Sequence, residues 1–309
     1  MSAIFAITGP IFALIALGYV VRRVGAFAAS DLRALGRYVV MLALPALIFR
    51  AVTGRDLGAL FDPGYVAAYL IGSLATFGLF WAVAVGGGRS KAAATFEGMG
   101  SACPNSGFFG YPILLLALPA VADQALALNM IVENMILIPL TLILAEASRG
   151  GAAWGRTVRG VATNPLMLAL ATGLALTLLG IAVPPVLGQA IDLVARSSAA
   201  ISLVVIGGAL VDVPRAARSL RVIWVAAGKL LIQPAAVSAA FAILWALGVA
   251  LDPVMVRAGV LMSAMPVMGV YPILAAQYDQ GAQAAVVMLA TTVGGFVTIA
   301  ALLLVLGLP

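Results

Sequence analysis

The sequence predicts an all-α polytopic membrane protein. Hydrophobic residues make up 64% of its 309 residues and charged residues only 9%, whereas a soluble domain carries roughly 25% charged residues. The apolar segments are about 20 residues long, which is typical of membrane-spanning helices and too long for barrel strands. The basic residues lie mainly in the gaps between these segments. This position is typical of topology signals and not of a nucleic-acid surface.

Ten apolar segments follow one another, and each is predicted to be a spanning helix. They cover residues 4–21, 32–52, 64–86, 94–118, 125–145, 162–181, 189–211, 222–248, 254–276 and 283–306. The first is interpreted as a retained helix and not a signal peptide, because it is long and has no positive region before it. The longest polar gap, near residues 146–161, is predicted to join two five-helix halves, residues 1–150 and 160–309.

The distribution of basic residues predicts the orientation of the chain. Cytoplasmic loops carry an excess of lysine and arginine. The gaps after odd-numbered segments, with the start of segment two, hold Arg22, Arg23, Arg33, Arg37, Arg89, Lys91, Arg149, Arg156, Arg159, Arg215, Arg218 and Arg221; the opposite side holds Arg50, Arg55 and Arg257. Both termini are therefore predicted to face the periplasm of a bacterial inner (plasma) membrane.

Two pairs of matched motifs predict that the halves are inverted repeats. Residues 8–10 (TGP) open segment one, and residues 163–165 (TNP) open segment six. In segment four SACP leads to GYPIL, and in segment nine SAMP leads to VYPIL. Five spans per half force the second copy upside down. Inverted repeats are common in secondary transporters.

Segments four and nine are predicted to be broken helices that cross near the middle of the membrane. Pro104 and Pro266 each remove a backbone donor and clash with the preceding turn. One such proline usually only kinks a helix, but matching prolines beside glycines in two repeats favour a pair of breaks. Because broken backbone cannot face lipid, both breaks are predicted to face protein or a water-filled cavity.

Each break creates a helix amino end that could bind an anion. Free amides and a partial positive charge at such ends suit a carboxylate without a fixed cation. Asn105 is predicted either to cap its own helix or to turn its amide group toward a ligand. The free amides are expected at Ser106, Gly107 and Phe108 in the first copy and at Val267 and Met268 in the second.

Three stretches resemble the auxin efflux carrier family: residues 44–49 (LPALIF), 104–112 (PNSGFFGYP) and 229–234 (KLLIQP). The likeness covers nearly the whole chain. Since the long central cytoplasmic loop of the plant hormone carriers is absent, the chain is similar to the short bacterial type, which includes malonate carriers. The resemblance implies a scaffold part and a transport part, with substrate bound where segments four and nine cross and moved by an elevator-like shift.

The candidate substrate-binding residues flank the two prolines. They are Cys103, Pro104, Asn105, Ser106, Gly107, Met265, Pro266 and Val267. The methionines of segment nine depart from the smaller or more polar residues that the resemblance leads us to expect.

Other polar residues lie within the predicted spans. Glu133 and Asn134 lie in the middle of segment five, and Lys229 lies one turn into segment eight. A charge at that depth is costly and usually functional or paired. Glu133 is predicted to carry a proton or to join a buried ion pair, with Lys229 as its partner or as an interfacial anchor. Coupling to H⁺ or Na⁺ stays open.

These features predict a secondary active transporter of a small organic anion, a mono- or dicarboxylate, working by alternating access. The methionines suggest an alternative, a carrier of an apolar neutral or zwitterionic solute on the same fold, and a channel is a third option. An intramembrane enzyme is disfavoured because no catalytic constellation is visible. The chain has no histidine and one cysteine, so no metal site or cofactor is predicted. The expected partners are the substrate and the lipid bilayer, with a homodimer as an open option and no nucleic acid.

Overall fold

The computed structural model describes residues 2–53, 61–149, 154–212 and 220–308. Within these ranges every regular element is helical, so the predicted all-α class is confirmed. The helices are α1 (Ser2–Arg23), α2 (Ala29–Val52), α3 (Pro63–Gly86), α4 (Lys91–Ala102), α5 (Ser106–Ala117), α6 (Ala122–Ala147), α7 (Trp154–Ala162), α8 (Pro165–Leu178), α9 (Pro185–Ala209), α10 (Leu220–Ala246), α11 (Pro253–Ser263), α12 (Tyr271–Ala276) and α13 (Gly281–Val305).

Several of these helices could cross a membrane. In the described part of the chain, six are long and apolar enough: α2, α3, α6, α9, α10 and α13. Large apolar side chains on them are exposed, including Ile71 and Leu79 of α3 and Val297 and Leu304 of α13. The ten predicted segments each coincide with a helix or, for segments four and nine, with a pair of helices. Ten crossings and their orientation stay predictions, and Arg55, Arg215 and Arg218 lie outside the described residues.

A widened turn precedes a proline in several helices. Among the described residues, the π-helical turns are Val39–Ala43, Ser106–Gly110, Glu133–Leu137 and Gly228–Ile232. Each turn ends two residues before a proline: Pro45, Pro112, Pro139 and Pro234. Proline lacks a donor and its ring clashes with the carbonyl four residues earlier. A turn with one extra residue moves that carbonyl away, so the helix continues. Ser106, Glu133 and Lys229 all lie on such turns.

Packing divides the helices into two groups. In the first, α1 packs along α9, and α2 packs against α8 and α9. In the second, α3 packs against α4, α6 and α10, α4 packs against α6, and α13 packs against α10 and α12. We call these the α2–α9 group (α1, α2, α8 and α9) and the α3–α10 group (α3 to α6 and α10 to α13). The groups meet where α2 contacts α6 and where α9 contacts α5.

Glycines allow the closest helix contacts. Gly18 of α1 lies against the backbone of Val204, and Gly207 of α9 lies against the backbone of Ile15. In the other group, a Cβ atom on Gly72 of α3 would lie 2.6 Å from the Cα atom of Val237 in α10. Small residues at helix contacts are typical of membrane proteins, because dispersion contacts and not water exclusion hold such helices together.

Candidate functional site

The two predicted helix breaks are present, and they lie against each other. α4 ends at Ala102 and α11 ends at Ser263. The segment after α4 is extended from Cys103, and the segment after α11 makes a turn at residues 264–265 before Pro104 pairs with Val267 in an antiparallel bridge. The Asn105 N–H donates to the Pro266 carbonyl at 2.8 Å, and the Met268 N–H donates to the Cys103 carbonyl at 3.2 Å. Each break therefore supplies hydrogen-bond partners for backbone groups of the other. We call residues 103–105 and 264–270 the crossover.

Asn105 caps the helix that follows the first break. Its Oδ1 accepts from the Phe108 N–H at 3.1 Å, and its backbone carbonyl accepts from the N–H groups of Phe109 and Gly110. The predicted free amide of Phe108 is therefore wrong. The amides of Ser106 and Gly107 have no hydrogen-bond acceptor among the described residues. These two amides stand at the amino end of α5, where the helix dipole places partial positive charge.

The second break has a different structure. α12 begins only at Tyr271, and the crossover residues before it are not helical. The Val267 N–H donates to Thr291 Oγ1 at 3.3 Å, and the Met268 N–H is used in the crossover. The prediction that Val267 and Met268 present free helix-terminal amides was wrong, because the chain pairs with the first break before it returns to a helix.

α10 bonds the carboxyl ends of both half-helices. Lys229 Nζ donates to the carbonyl of Ser263, the last residue of α11, at 2.5 Å. One turn later, Gln233 Nε2 donates to the carbonyl of Ala102, the last residue of α4, at 2.6 Å. Both side chains are fully buried. Because helix carboxyl ends carry unpaired carbonyls and partial negative charge, these donors stabilise the broken geometry.

The sequence left two alternatives open for Lys229, an interfacial anchor or a partner of Glu133. The side chain is buried against the end of α11, so it does not anchor the chain at the membrane surface. It also makes no ion pair with Glu133 or another carboxylate of the described residues, although the charges of Lys229 and Glu133 are close enough to interact. The Lys229 ammonium instead donates a hydrogen bond to the Ser263 carbonyl, where α11 ends.

Most candidate substrate-binding residues are buried. Cys103, Ser106 and Met265 are fully buried, and the burial also covers Pro104, Gly107, Pro266 and Val267. Asn105 and Phe108 are partly exposed, and Gly269 and Val270 are exposed. The accessible face of the crossover is therefore Asn105 with Phe108 on one side and residues 269–270 on the other. In this conformation Cys103 is packed as a small hydrophobic residue and does not border an aqueous cavity.

The neighbouring candidates Glu133 and Asn134 point to different places. Ser106 Oγ donates to Glu133 Oε1, so Glu133 lies directly behind the amino end of α5. Its Oε2 atom is buried and has no hydrogen-bond partner in the part of the chain that the structure describes. Asn134 bonds to Met130 in its own helix and accepts from Asn164 Nδ2 at 3.2 Å, at the start of α8. Asn134 therefore joins the two helix groups and is not part of the crossover.

Sequence reasoning missed two ion-pair clusters. Arg50 of α2 pairs with Asp123 of α6 at 3.0 Å and lies 3.7 Å from Asp192 of α9. Elsewhere, Glu97 of α4 is buried between Arg89 at 3.1 Å and Arg221 at 3.3 Å. Arg89 lies eight residues before Glu97, but the other partners come from distant segments, so no local pattern marks either cluster as a whole. The first cluster joins the two helix groups, and the second holds α4 against α10.

Two comparisons relate this chain to known proteins. The family model described as "Membrane transport protein" matches residues 4–154. A protein of Rhizobium meliloti (strain 1021), named "Putative malonate transporter", is 27% identical over 310 aligned positions, which cover 98% of this chain and 96% of the relative. This chain is therefore similar to the membrane transport protein family, the auxin efflux carrier family that its motifs resemble, and both matches point to a transporter and not to an enzyme.

Proposed function

We propose that the protein is a secondary active transporter of a small mono- or dicarboxylate, which binds at the crossover. The observation that carries the proposal is the amino end of α5. There the unused amides of Ser106 and Gly107 stand beside the partly exposed Asn105. Helix amino ends with free amides bind carboxylates, and broken helices supply such ends inside transporters.

The surrounding charges favour an anion over a neutral solute. Lys229 and Gln233 donate to the carbonyls at the carboxyl ends of α11 and α4. These donors counter the partial negative charge at the carboxyl ends of both half-helices. At the positive end of α5, Glu133 bonds the Ser106 hydroxyl and leaves the two free amides without an acceptor among the described residues. Met265 and Met268, the residues that suggested an apolar solute, are buried. The name of the relative, a malonate transporter, fits a dicarboxylate substrate.

We further propose an elevator-like mechanism on ten crossings arranged as inverted halves. The packing supports this arrangement, because exchanging segments one to five with six to ten preserves the principal contacts. The contact of segment one with segment seven (α1 with α9) corresponds to the contact of segment six with segment two (α8 with α2). In the same way, the contact of segment three with segment four (α3 with α4) corresponds to the contact of segment eight with segment nine (α10 with α11). The α2–α9 group would be the scaffold, and the α3–α10 group, which contains the crossover, would move.

Counterflow in proteoliposomes tests the function. Liposomes with the purified protein are loaded with unlabelled malonate, and the uptake of labelled malonate is measured. A carrier predicts saturable uptake that depends on the internal malonate, with protein-free liposomes as the control. Uptake that does not saturate would indicate a channel. No counterflow with any mono- or dicarboxylate, together with counterflow of a neutral or zwitterionic solute, would overturn the proposal in favour of the alternative.

A further inference from the structure

A cluster of buried polar side chains lies behind the amino end of α5. Tyr65 and Tyr69 of α3 stack with ring centroids 6.0 Å apart. The Tyr65 hydroxyl donates to Asn129 Oδ1 at 2.8 Å. Glu133, one turn after Asn129 on α6, accepts from Ser106 of α5, and the Tyr69 hydroxyl lies beside Ser106 and Glu133. All five side chains are at most 1% exposed.

Three polar atoms of this cluster have no neighbour in good hydrogen-bonding geometry among the described residues: the Tyr69 hydroxyl, Asn129 Nδ2 and Glu133 Oε2. Buried polar atoms are nearly always hydrogen bonded, and the exceptions often mark a bound water or ion. A donor amide, a hydroxyl and a carboxylate oxygen in one cluster match the hydrogen-bonding capacity of a single water molecule, which typically makes about three bonds when buried.

The chemistry of the cluster favours a water and a proton over a metal cation. Hard cations take shells of oxygen ligands, whereas the open end of Asn129 is an N–H donor that repels a cation. The Lys229 ammonium also lies close enough for its charge to act on Glu133, which disfavours a second cation beside it. A proton on Glu133 needs neither an oxygen shell nor the removal of Lys229.

We propose that this cluster is the coupling site of the transporter: a bridging water joins Tyr69, Asn129 and Glu133, and Glu133 carries the proton that moves with the substrate. The inference rests on the proposed carboxylate transport. In the step, hydronium gives its proton to Glu133 Oε2, leaving a neutral carboxyl group and water. The reverse transfer returns the carboxylate and hydronium.

The link to substrate runs through Ser106. Its hydroxyl bonds Glu133, and its backbone amide faces the proposed carboxylate site. An ionised Glu133 repels an anion at that amide, and a protonated Glu133 does not. Protonation therefore strengthens anion binding, and by reciprocity anion binding strengthens protonation. The proton and the substrate anion therefore cross the membrane together, which is proton symport.

Glu133 is the group of this cluster that we expect to bind and release the proton. The other titratable or charged groups facing the cluster are Tyr65 and Tyr69 from α3, Cys103 at the end of α4 and Lys229 from α10, with Asp62 acting on Tyr65 from the start of α3. Ser106 is the α5 side chain that contacts Glu133. Among these neighbours no second carboxylate contacts Glu133, so its proton is not shared with another acid.

The first arm of the test needs no substrate. Infrared difference spectra of the purified protein in lipid, recorded between alkaline and acidic pH, should show the C=O stretch of a buried protonated carboxyl group. Glu133→Gln should remove this band, and Tyr69→Phe, which deletes one hydroxyl, should shift it. Glu97→Gln is the matched control, because Glu97 is equally buried but bonded to two arginines, and it should leave the band in place. A band that is absent from wild type, or that survives Glu133→Gln, would overturn the proposal.

The second arm measures coupling. Titration calorimetry of malonate in buffers with different ionisation enthalpies gives the protons taken up per malonate bound. Wild type should take up protons and Glu133→Gln should take up none. Malonate binding without proton uptake by wild type would overturn the coupling role, as would a change in the Glu133 band caused by sodium alone. Failure of every carboxylate to bind would contradict the proposed function, while the infrared result would still decide whether Glu133 holds a proton.

Discussion

Replacing Gly72 with alanine should push α10 away from α3 and disturb the crossover. The added Cβ atom would lie 2.6 Å from the Cα atom and 2.7 Å from the N atom of Val237. These are backbone atoms of α10, so no rotamer change can relieve the overlap. Gln233 lies one turn before Val237 on the same helix and bonds both Ala102 and Ser73, the neighbour of Gly72.

The expected loss of stability follows from two opposing terms. Overpacking in a closely packed interior costs about 1–3 kcal/mol, and contact with fixed backbone places Gly72→Ala in the upper part of that range. Alanine regains roughly 0.5–1 kcal/mol over glycine within a helix. The net loss should therefore be about 1–2 kcal/mol. Gly78 lies on the same helix with no atom near its missing Cβ, so Gly78→Ala should keep the helix gain alone and stabilise slightly.

Thermal unfolding in detergent can be followed with a thiol-reactive fluorophore. Cys103 is the one cysteine of the chain and is fully buried, so it reacts when the protein unfolds. Gly72→Ala should lower the Tm by a few degrees, since about 1 kcal/mol corresponds to roughly 2–4 °C in large domains, and Gly78→Ala should not lower it. If both variants shift the Tm equally, α3 and α10 do not approach each other through Gly72.

The remaining predictions concern capping, the contact between the helix groups and topology. Gln233→Leu leaves the Ala102 carbonyl buried without a donor and should lower the free energy of unfolding by about 1–3 kcal/mol. The control Gln277→Leu replaces an exposed side chain and should change the Tm little. Equal Tm values for the two variants would show that Gln233 does not stabilise the end of α4. Arg50→Gln breaks the bond to Asp123 that joins the two groups and should raise the counterflow rate severalfold if those groups move apart, so an unchanged rate would show that this ion pair does not restrain transport. Tags at both chain ends should react with impermeant reagents from the periplasmic side; a cytoplasmic location of either end would refute the ten-crossing orientation.

Local chemistry explains which parts of the site could be predicted from the sequence. The breaks at Pro104 and Pro266 follow from the missing backbone donor of proline, and the cap follows from the preference of asparagine for helix starts. The start of α12 was misplaced at Pro266, although Pro272 stands in its first turn, a position where proline is favoured. That second proline was the available signal, and it was interpreted only as part of a repeat.

Tertiary contacts explain what could not be predicted. Nothing near Gln233 in the chain shows that it bonds the end of α4, because Ala102 lies far away in sequence. The sequence left an interfacial position open for Lys229 because of its distance from the helix start, whereas the packing of α10 between α4 and α11 buries it. The widened turns before Pro45, Pro139 and Pro234 were also missed, because proline alone does not distinguish a kink from a π turn.

The affinity of Asn105 variants for malonate is the decisive measurement for the crossover site. Asn105→Ala removes both the cap on Phe108 and the side-chain amide, and should weaken binding by about 1–3 kcal/mol, roughly 5- to 150-fold in Kd. Asn105→Asp keeps an oxygen for the cap but adds a negative charge, so it should retain the Tm of wild type and bind malonate more weakly still. Asn105→Ser keeps a capping oxygen without the charge and should fall between wild type and alanine. Malonate binding to wild type with the same Kd in all three variants would place the substrate away from the amino end of α5 and contradict the proposed site.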